Sequence, residues 1–226
     1  AYTRISMADD GKTSGDALPN DKIYTAEIPT QANGSSVKYY IAGIDSNGQS
    51  KSSPDSAPAY FYSYFVGPHV VINEVYSDAP GNETAEFIEL YNPTGSAVSL
   101  VNWTIQDEYQ GSYADKFAFP AGASISAGGF VVIARAAGTS TWGYIQNFSA
   151  SGAPTYEYGY SSGLDNSSIP NLVSISADSE IKLDNSTDAL HLCNAYGVLV
   201  DQVEYGSEGI DVPGTYVEDV AEGLSL

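Results

Sequence analysis

The feature of this sequence that most limits its fold is that its apolar segments are short and repeat with a period of two residues. In residues 37–44, for example, Val37, Tyr39 and Ile41 share one face of an extended chain. Clusters of Gly, Asn, Pro, Asp and Ser separate these segments, and no stretch shows the 3.6-residue period of a helix. The sequence therefore predicts an all-β protein.

Composition indicates a folded chain and argues against several functions. Apolar residues make up 42% of the 226 residues, and 18 Tyr and 7 Phe argue against intrinsic disorder. The net charge of −20 argues against a nucleic-acid partner, because such partners are bound through basic surface. The single cysteine, Cys193, excludes an internal disulfide, and no apolar run is long enough for membrane insertion.

Turn clusters divide the chain into a small first module, residues 1–67, and a larger second module, residues 68–206. Four strands are predicted in the first, fewer than the ~7 of a complete immunoglobulin-like sandwich, so this module is small or truncated. Those strands are residues 2–7, 23–28, 37–44 and 59–66.

Seven further strands are predicted in the second module, the number that a β-sandwich needs. They are residues 69–76, 86–92, 98–106, 129–135, 180–183, 189–194 and 198–205. Residues 136–177 form a long connection rich in Gly, Ser and Tyr, and residues 207–226 form an acidic tail or linker.

The second module resembles the lamin tail domain family, which has an immunoglobulin-like β-sandwich fold. The resemblance covers residues 69–206 and is carried by segments in the family's order. These are 70–75 with Asn73-Glu74, the Glu-Phe-Ile-Glu-Leu-Tyr-Asn run 86–92, Leu100-x-x-Trp103-x-Ile105, 119–122 leading into 128–135, and 188–194 followed by 197–205. The residues of the family's structural signature are Asn73, Glu74, Glu86, Glu89, Asn92 and Trp103.

The first module resembles the fibronectin-like modules that precede lamin tail domains in large exported prokaryotic proteins. Residues 24–29, 37–45 and the run to residue 66 carry this second resemblance. Together the two resemblances imply two tandem immunoglobulin-like sandwiches in an extracellular or cell-surface setting. They also imply interaction or tethering by a fragment of a larger protein, with any catalysis in an attached domain.

Three acids of the signature have two interpretations. Glu74, Glu86 and Glu89 form a cation site or an acid–base pair in one, since hard cations and proton transfer both use carboxylates. In the other they accept hydrogen bonds that hold the sandwich together. The second interpretation is favoured, because neither His nor a nucleophile lies nearby in sequence.

Residues 9–21 present a loop rich in carboxylates, which is the kind of segment that Ca²⁺ prefers. Asp9, Asp10, Asp16 and Asp21 are its candidate ligands for a structural Ca²⁺, the one cofactor that we consider. The alternative is that these residues simply form turns, as Asp and Gly often do.

Aromatic residues are concentrated between residues 142 and 160. Trp142, Tyr144, Tyr156, Tyr158 and Tyr160 are candidates for partner binding, since exposed Tyr is a favourable contact residue. The alternative is that the loop buries its own aromatics.

These observations predict a noncatalytic module, monomeric, whose partner is a protein or a glycan at the cell surface. The alternative function is a carbohydrate-binding accessory module of an extracellular hydrolase, using residues 142–160.

Overall fold

The computed structural model describes residues 2–78, 85–109, 112–135, 154–158, 166–176, 181, 183–206, 217 and 224–225. The described residues contain fifteen β-strands and no α-helix. In chain order the strands are β1 (Ser36–Tyr39), β2 (Ile41–Ile44), β3 (Ser50–Ser53), β4 (Tyr62–Phe65), β5 (Val71–Tyr76), β6 (Phe87–Tyr91), β7 (Val98–Ser99), β8 (Thr104–Tyr109), β9 (Ser112–Ala118), β10 (Ser124–Ile125), β11 (Phe130–Ala134), β12 (Tyr156–Glu157), β13 (Val173–Ser174), β14 (Asp188–Cys193) and β15 (Leu199–Tyr205). Across this described part of the chain, no helix has the length and apolar character needed to cross a membrane.

Two large sheets form the second module. One has the order β12-β11-β6-β5 and the other β13-β9-β8-β14-β15, while β7 and β10 pair separately. Every pairing in these sheets is antiparallel except that of β11 with β12. Antiparallel sheets need only short connections, in keeping with the many turn residues of the sequence.

The hydrophobic core lies between these two sheets. Ile88 and Leu90 of β6 belong to the same buried cluster as Leu190 and Leu192 of β14, and all four side chains are 0% exposed. Burying a side chain of this size stabilises the fold by roughly 1.5–3 kcal/mol. Alternation along each strand supplies these residues, because every second side chain faces the same layer.

Two polar contacts hold the closing strand β15 in place, and the first of them joins the two sheets. The Asp201 carboxylate on β15 accepts a 2.7 Å hydrogen bond from the Ile72 N–H on β5. The Tyr205 hydroxyl donates a 2.7 Å hydrogen bond to the carbonyl oxygen of Asp184, in the turn before β14. The closing strand β15 is thus fixed to both the opening strand and the preceding turn.

The first module contains two small sheets, β1 with β4 and β2 with β3, which share no strand with the second module. Strand β4 lies against β15, and the Phe65 and His69 rings meet edge to face with centroids 5.0 Å apart. Strand β2 remains exposed along its whole length, with Ile41 and Ile44 at 43% and 70%. Its alternating side chains therefore lack a covering layer within the described residues.

Two of the strand predictions for the first module are wrong. Residues 2–7 and 23–28 join no sheet, and Thr25, in the second segment, forms only an isolated bridge with Ala8. Their apolar side chains are largely exposed, at 47% for Tyr2 and 62% for Ile23. An alternating pattern makes a strand only where a neighbouring backbone supplies hydrogen bonds.

Several short strands escaped the sequence analysis. Strand β3 is entirely Ser and Lys and has no apolar alternation, so it depends on pairing with β2. Strands β12 and β13 lie within the connection 136–177, which the sequence suggested has little strand. The predicted strand 180–183 is not a strand at Ile181 or Leu183, although both side chains are buried; residues 180 and 182 lie outside the described residues.

Candidate functional site

The signature residue Asn73 is the extra residue of a β-bulge in β5. The register shifts between Ile72 and Glu74, so Asn73 has no partner position on β6. Its side-chain amide instead donates a 2.8 Å hydrogen bond to Glu89, which is 6% exposed. Burial raises the pKa of Glu89, the bond from Asn73 lowers it, and the charge of Glu74 opposite raises it again. Asn73 and Glu89 therefore form a structural pair in β5–β6.

Glu86 immediately precedes β6 and is fully buried at 0% exposure. Its Oε1 forms an ion pair with Arg135 Nη1 at 2.6 Å, and its Oε2 accepts a 3.5 Å hydrogen bond from the Tyr158 hydroxyl. The Arg135 N–H also bonds the Glu86 carbonyl oxygen at 3.0 Å. This carboxylate thus joins β6, the end of β11 and the residue after β12. It points into the protein and not into an open cleft.

The Asn92 side chain forms hydrogen bonds through both its nitrogen and its oxygen. Its Nδ2 lies 2.9, 3.2 and 3.0 Å from the carbonyl oxygens of Ser96, Ile125 and Ser126, and its Oδ1 accepts a 3.0 Å bond from the Thr94 N–H. The side chain is 0% exposed. Asn92 therefore fixes the turn after β6 to the segment before β11.

The remaining signature residues are also part of the framework. Trp103 is half-buried against the core, and its backbone bonds Leu100 and Phe119, at 2.9 Å in each case. Glu74 is half-buried and lies across from Glu89 in the β5–β6 ladder. The structure therefore places Glu74 near Glu89 but joins Glu86 to a different set of partners.

A second set of buried carboxylates escaped the sequence analysis. Asp107, Glu157, Asp188 and Glu204 are all 3% exposed or less. Asp107 is two residues from the core residue Ile105, and Asp188 is two residues from the core residue Leu190. The two-residue period could have placed both of these acids in the core. Only apolar residues were considered as core candidates, so the two acids were missed.

Asp107 and Asp188 meet on the core face of the five-stranded sheet. Burial and the Asp107 charge raise the pKa of Asp188 from 3.8 to about 9. Burial likewise raises the pKa of the neighbouring Tyr205 hydroxyl. These groups are enclosed by the sandwich and offer no surface to a substrate.

The carboxylate loop of the first module brings three of its four predicted ligands together. Oxygens of Asp9, Asp16 and Asp21 lie within 4.8 Å of one another, and Asp16 is 7% exposed. Asp10 is outside this group, since its carboxylate accepts bonds from the Lys12 and Thr13 N–H groups. These bonds, that from the Thr13 hydroxyl above all, lower the pKa of Asp10.

The three grouped acids also support the loop itself. Asp16 Oδ2 accepts the Gly11 N–H at 2.6 Å, and the two oxygens of Asp9 accept the N–H groups of Asp21 and Lys22, each at 3.1 Å. Carboxylates that are held this close repel one another, and a divalent cation would relieve the repulsion. The grouping fits oxygen ligation of a hard cation.

Two of the predicted aromatic binding residues are in the core. Tyr156 and Tyr158 are 6% and 0% exposed, and burial raises the pKa of both hydroxyls. Tyr156 packs edge to face on Phe119 with centroids 5.4 Å apart. The prediction that these two bind a partner is wrong, because neither presents a surface. Trp142, Tyr144 and Tyr160 lie outside the described residues.

The first module carries an open groove beside the exposed strand β2. Its volume is about 1130 Å³, and it is lined by residues 3–7, by Tyr24, Ala26 and Ile28, and by residues 39–45 and 49–51. Apolar side chains dominate its most exposed positions, with Tyr24 at 59%, Ile41 at 43% and Ile44 at 70%. Arg4, Lys51 and Asp45 supply its charges. Exposed apolar surface of this kind is typical of interaction sites.

Comparison with known proteins agrees with this architecture. The sequence profile of a family described as Lamin Tail Domain matches residues 66–207, which include β5 to β15, and the predicted all-β, immunoglobulin-like fold class is confirmed. No curated protein sequence matches the chain. Among solved structures, the chain is similar to a DUF4876 family protein from Bacteroides thetaiotaomicron VPI-5482, at 11% identity over 85% of this chain with a TM-score of 0.47. The chain spans 64% of that protein's length.

Proposed function

Because this chain belongs to the lamin tail domain family through residues 66–207, we propose that it is a noncatalytic interaction and tethering module. It works outside the cell or at the cell surface, as part of a larger exported prokaryotic protein. Its partner is a protein or a glycan, and the apolar lining of the first-module groove favours a protein. Any catalysis is carried by an attached domain.

The observation that carries this proposal is that the buried carboxylates are hydrogen-bonded or ion-paired to other parts of the fold. Glu86 is bound by Arg135, Glu89 by Asn73, and both Glu157 oxygens by the Asn166 N–H at 3.0 and 3.3 Å. A catalytic acid or base has to reach its substrate within hydrogen-bond distance. These carboxylates instead complete the framework, while the open surface beside β2 is lined mainly by apolar side chains.

A binding and turnover experiment tests the proposal. The chain is applied to the exported proteins and to the surface polysaccharides of the cell that makes it, and to chromogenic ester, glycoside and phosphoester substrates. We expect binding to a protein, no turnover, and about tenfold weaker binding for Ile44→Asp, a loss of about 1.4 kcal/mol. Tyr196→Asp is the matched control, because Tyr196 is also exposed, at 91%, but lies in the second module.

Two outcomes would contradict the proposal. If the chain turns over one of these substrates and the Glu74→Gln variant does not, the chain is an enzyme. Binding to a polysaccharide that Ile44→Asp leaves unchanged would support the carbohydrate-binding alternative. Both Ile44 and Tyr196 are exposed, so neither substitution is expected to unfold the chain.

The structural Ca²⁺ predicted at residues 9–21 can be tested separately by thermal unfolding. With a Kd of about 1 mM, common for extracellular modules, 10 mM Ca²⁺ stabilises by about 1.4 kcal/mol and raises Tm by about 3–6 °C. Asp21→Asn removes one of the three grouped carboxylates and is expected to abolish the shift. Asp55→Asn, outside the group, should keep it. An equal shift in Asp21→Asn and the unmodified chain would exclude this site.

A further inference from the structure

Strand β2 has one edge that no neighbouring strand covers. It pairs with β3 on one side, and no hydrogen bond from any other segment of the described residues reaches Ile41–Ile44. Every residue of this strand is exposed. An uncovered edge presents a row of unpaired N–H and C=O groups, to which a strand of another chain can bind.

The backbone groups at this edge follow from the turn between β2 and β3. The Asp45 N–H donates a 2.9 Å hydrogen bond to the Gln49 carbonyl oxygen, so the backbone of Asp45 faces β3. The direction of these bonds alternates along an antiparallel strand, so Gly43 also faces β3, while Ala42 and Ile44 face the open edge. Each of the latter two residues therefore offers one N–H donor and one C=O acceptor there.

The open groove of the first module lies beside β2 and leaves space for another strand. It is lined by residues 39–45 and also by residues 3–7 of the N-terminal segment. The Tyr2 and Tyr40 rings meet edge to face with centroids 5.0 Å apart. Among the described residues, however, these two segments share no backbone hydrogen bond, and the groove of about 1130 Å³ separates them.

Apolar side chains of this groove are arranged with the period of a strand. Ile5 and Met7 lie two residues apart in the N-terminal segment and are both exposed, as are Ile41 and Ile44 of β2. Side chains two residues apart in an extended segment point to the same face. A partner strand whose apolar side chains also recur every second residue can therefore pack against this lining.

The charges of the groove favour an acidic partner. Arg4 and Lys51 are exposed, and neither forms a hydrogen bond or an ion pair within the described part of the chain. The Asp45 carboxylate is held by its own turn, since it accepts the N–H groups of Asn47 and Gln49 at 2.9 and 2.8 Å. Two cations are thus available to a partner, and such complementary charge selects partners and speeds their association.

We infer that this groove binds an extended segment of a partner protein by strand addition. The segment pairs with the open edge of β2, and its side chains alternate between apolar residues, which contact the lining, and acidic residues, which contact Arg4 and Lys51. The inference rests on the proposed tethering function and names the kind of partner segment that it uses. In this mode of recognition backbone hydrogen bonds supply the affinity, and the lining selects the side chains.

Binding of synthetic peptides to the full chain tests the inference, with fluorescence anisotropy as the measurement. Two capped peptides of about eight residues, within the usual length of a strand, alternate Val with Glu or Val with Lys. We expect the Glu peptide to bind about tenfold more tightly than the Lys peptide in dilute buffer. The difference should shrink at about 1 M salt, which screens exposed charges. The Arg4→Glu/Lys51→Glu variant is expected to reverse the preference.

Two further changes remove backbone donors and leave the charges in place. Methylation of the backbone nitrogens of the Glu peptide should abolish its binding, because the peptide then has no N–H to donate. Ala42→Pro removes an N–H at the open edge and should weaken binding of the unmethylated peptide about tenfold. Ala42→Val keeps that N–H and is the matched control. The methylated peptide is tested on the unmodified chain, so this comparison needs no variant to fold.

Three results would overturn the inference. Neither peptide binds at concentrations up to about 1 mM; the methylated peptide binds as tightly as its parent; or the chain forms a dimer in sedimentation that Ala42→Pro disrupts, which would make a second copy the occupant. The tethering function fails by a different result, namely that no exported protein binds in a manner sensitive to Ile44→Asp. A protein partner that Ile44→Asp releases and Ala42→Pro does not weaken would leave tethering standing and exclude strand addition.

Discussion

Asn92→Asp is expected to lower the free energy of unfolding of the second module by about 3–5 kcal/mol at pH 7. The substitution keeps the size of the side chain but replaces the Nδ2 donor with a second oxygen. Three carbonyl oxygens, those of Ser96, Ile125 and Ser126, would then face a buried carboxylate at about the distances where they now receive hydrogen bonds. Losing the donor leaves buried acceptors unsatisfied, and the new charge is repelled by all three.

Asn194→Asp is the matched control for this change. Asn194 also holds a turn between two strands, but it does so through Oδ1, which accepts the N–H groups of Tyr196 and Val198 at 3.0 and 3.1 Å. A carboxylate accepts the same bonds, so we expect a change within about 0.5 kcal/mol. Chemical denaturation of the two variants measures the difference.

The pH dependence of the Asn92→Asp variant separates charge from shape. Burial is expected to raise the pKa of the new carboxyl group, so the destabilisation should shrink towards pH 4, where the protonated group regains one donor. Its single O–H can serve one of the three carbonyls, so the recovery stays incomplete. Equal costs for Asn92→Asp and Asn194→Asp would show that the contacts of Nδ2 do not support the fold.

The sequence predicted those strands of the second module whose apolar residues alternate clearly. In β6, Ile88 and Leu90 face the core at 0% exposure, as the two-residue period requires. The first module was harder to predict, since the alternation in residues 2–7 resembles that of a strand although no backbone among the described residues pairs with it. Pairing is a property of the tertiary structure, and a single segment does not contain it.

For the candidate sites, too, local sequence patterns could be predicted, whereas contacts between distant segments could not. The grouping of Asp9, Asp16 and Asp21 follows from a short loop, so a local pattern was enough to suggest it. The contact of Asp107 with Asp188 joins residues that are far apart in sequence and required the β8–β14 register. For Tyr158 the local sequence gave a wrong expectation. Its Gly- and Ser-rich neighbourhood suggested an exposed side chain, but Tyr158 is buried in the core.

Arg135→Met is the second substitution with a large expected effect, a loss of about 3 kcal/mol of unfolding free energy at pH 8. Removing one partner of a buried ion pair leaves the other as an uncompensated charge, which typically costs about 3–5 kcal/mol. Arg135 is 18% exposed while Glu86 is fully buried, so water reaches the arginine side and the cost falls at the lower end of that range. Arg4→Met, at an exposed position, is the control.

The double variant Glu86→Gln/Arg135→Met shows whether the lost energy belongs to the charge or to packing. The introduced glutamine side chain is neutral and can still accept the hydrogen bond that the Tyr158 hydroxyl now donates to Glu86 Oε2 at 3.5 Å. We therefore expect the double variant to be more stable than Arg135→Met alone at pH 8. The two should converge towards pH 5, because without its arginine the buried Glu86 takes up a proton more readily. An Arg135→Met cost that is the same at pH 5 and pH 8, and that Glu86→Gln does not relieve, would mean that the arginine supports this sheet through packing of its aliphatic stem and not through its charge.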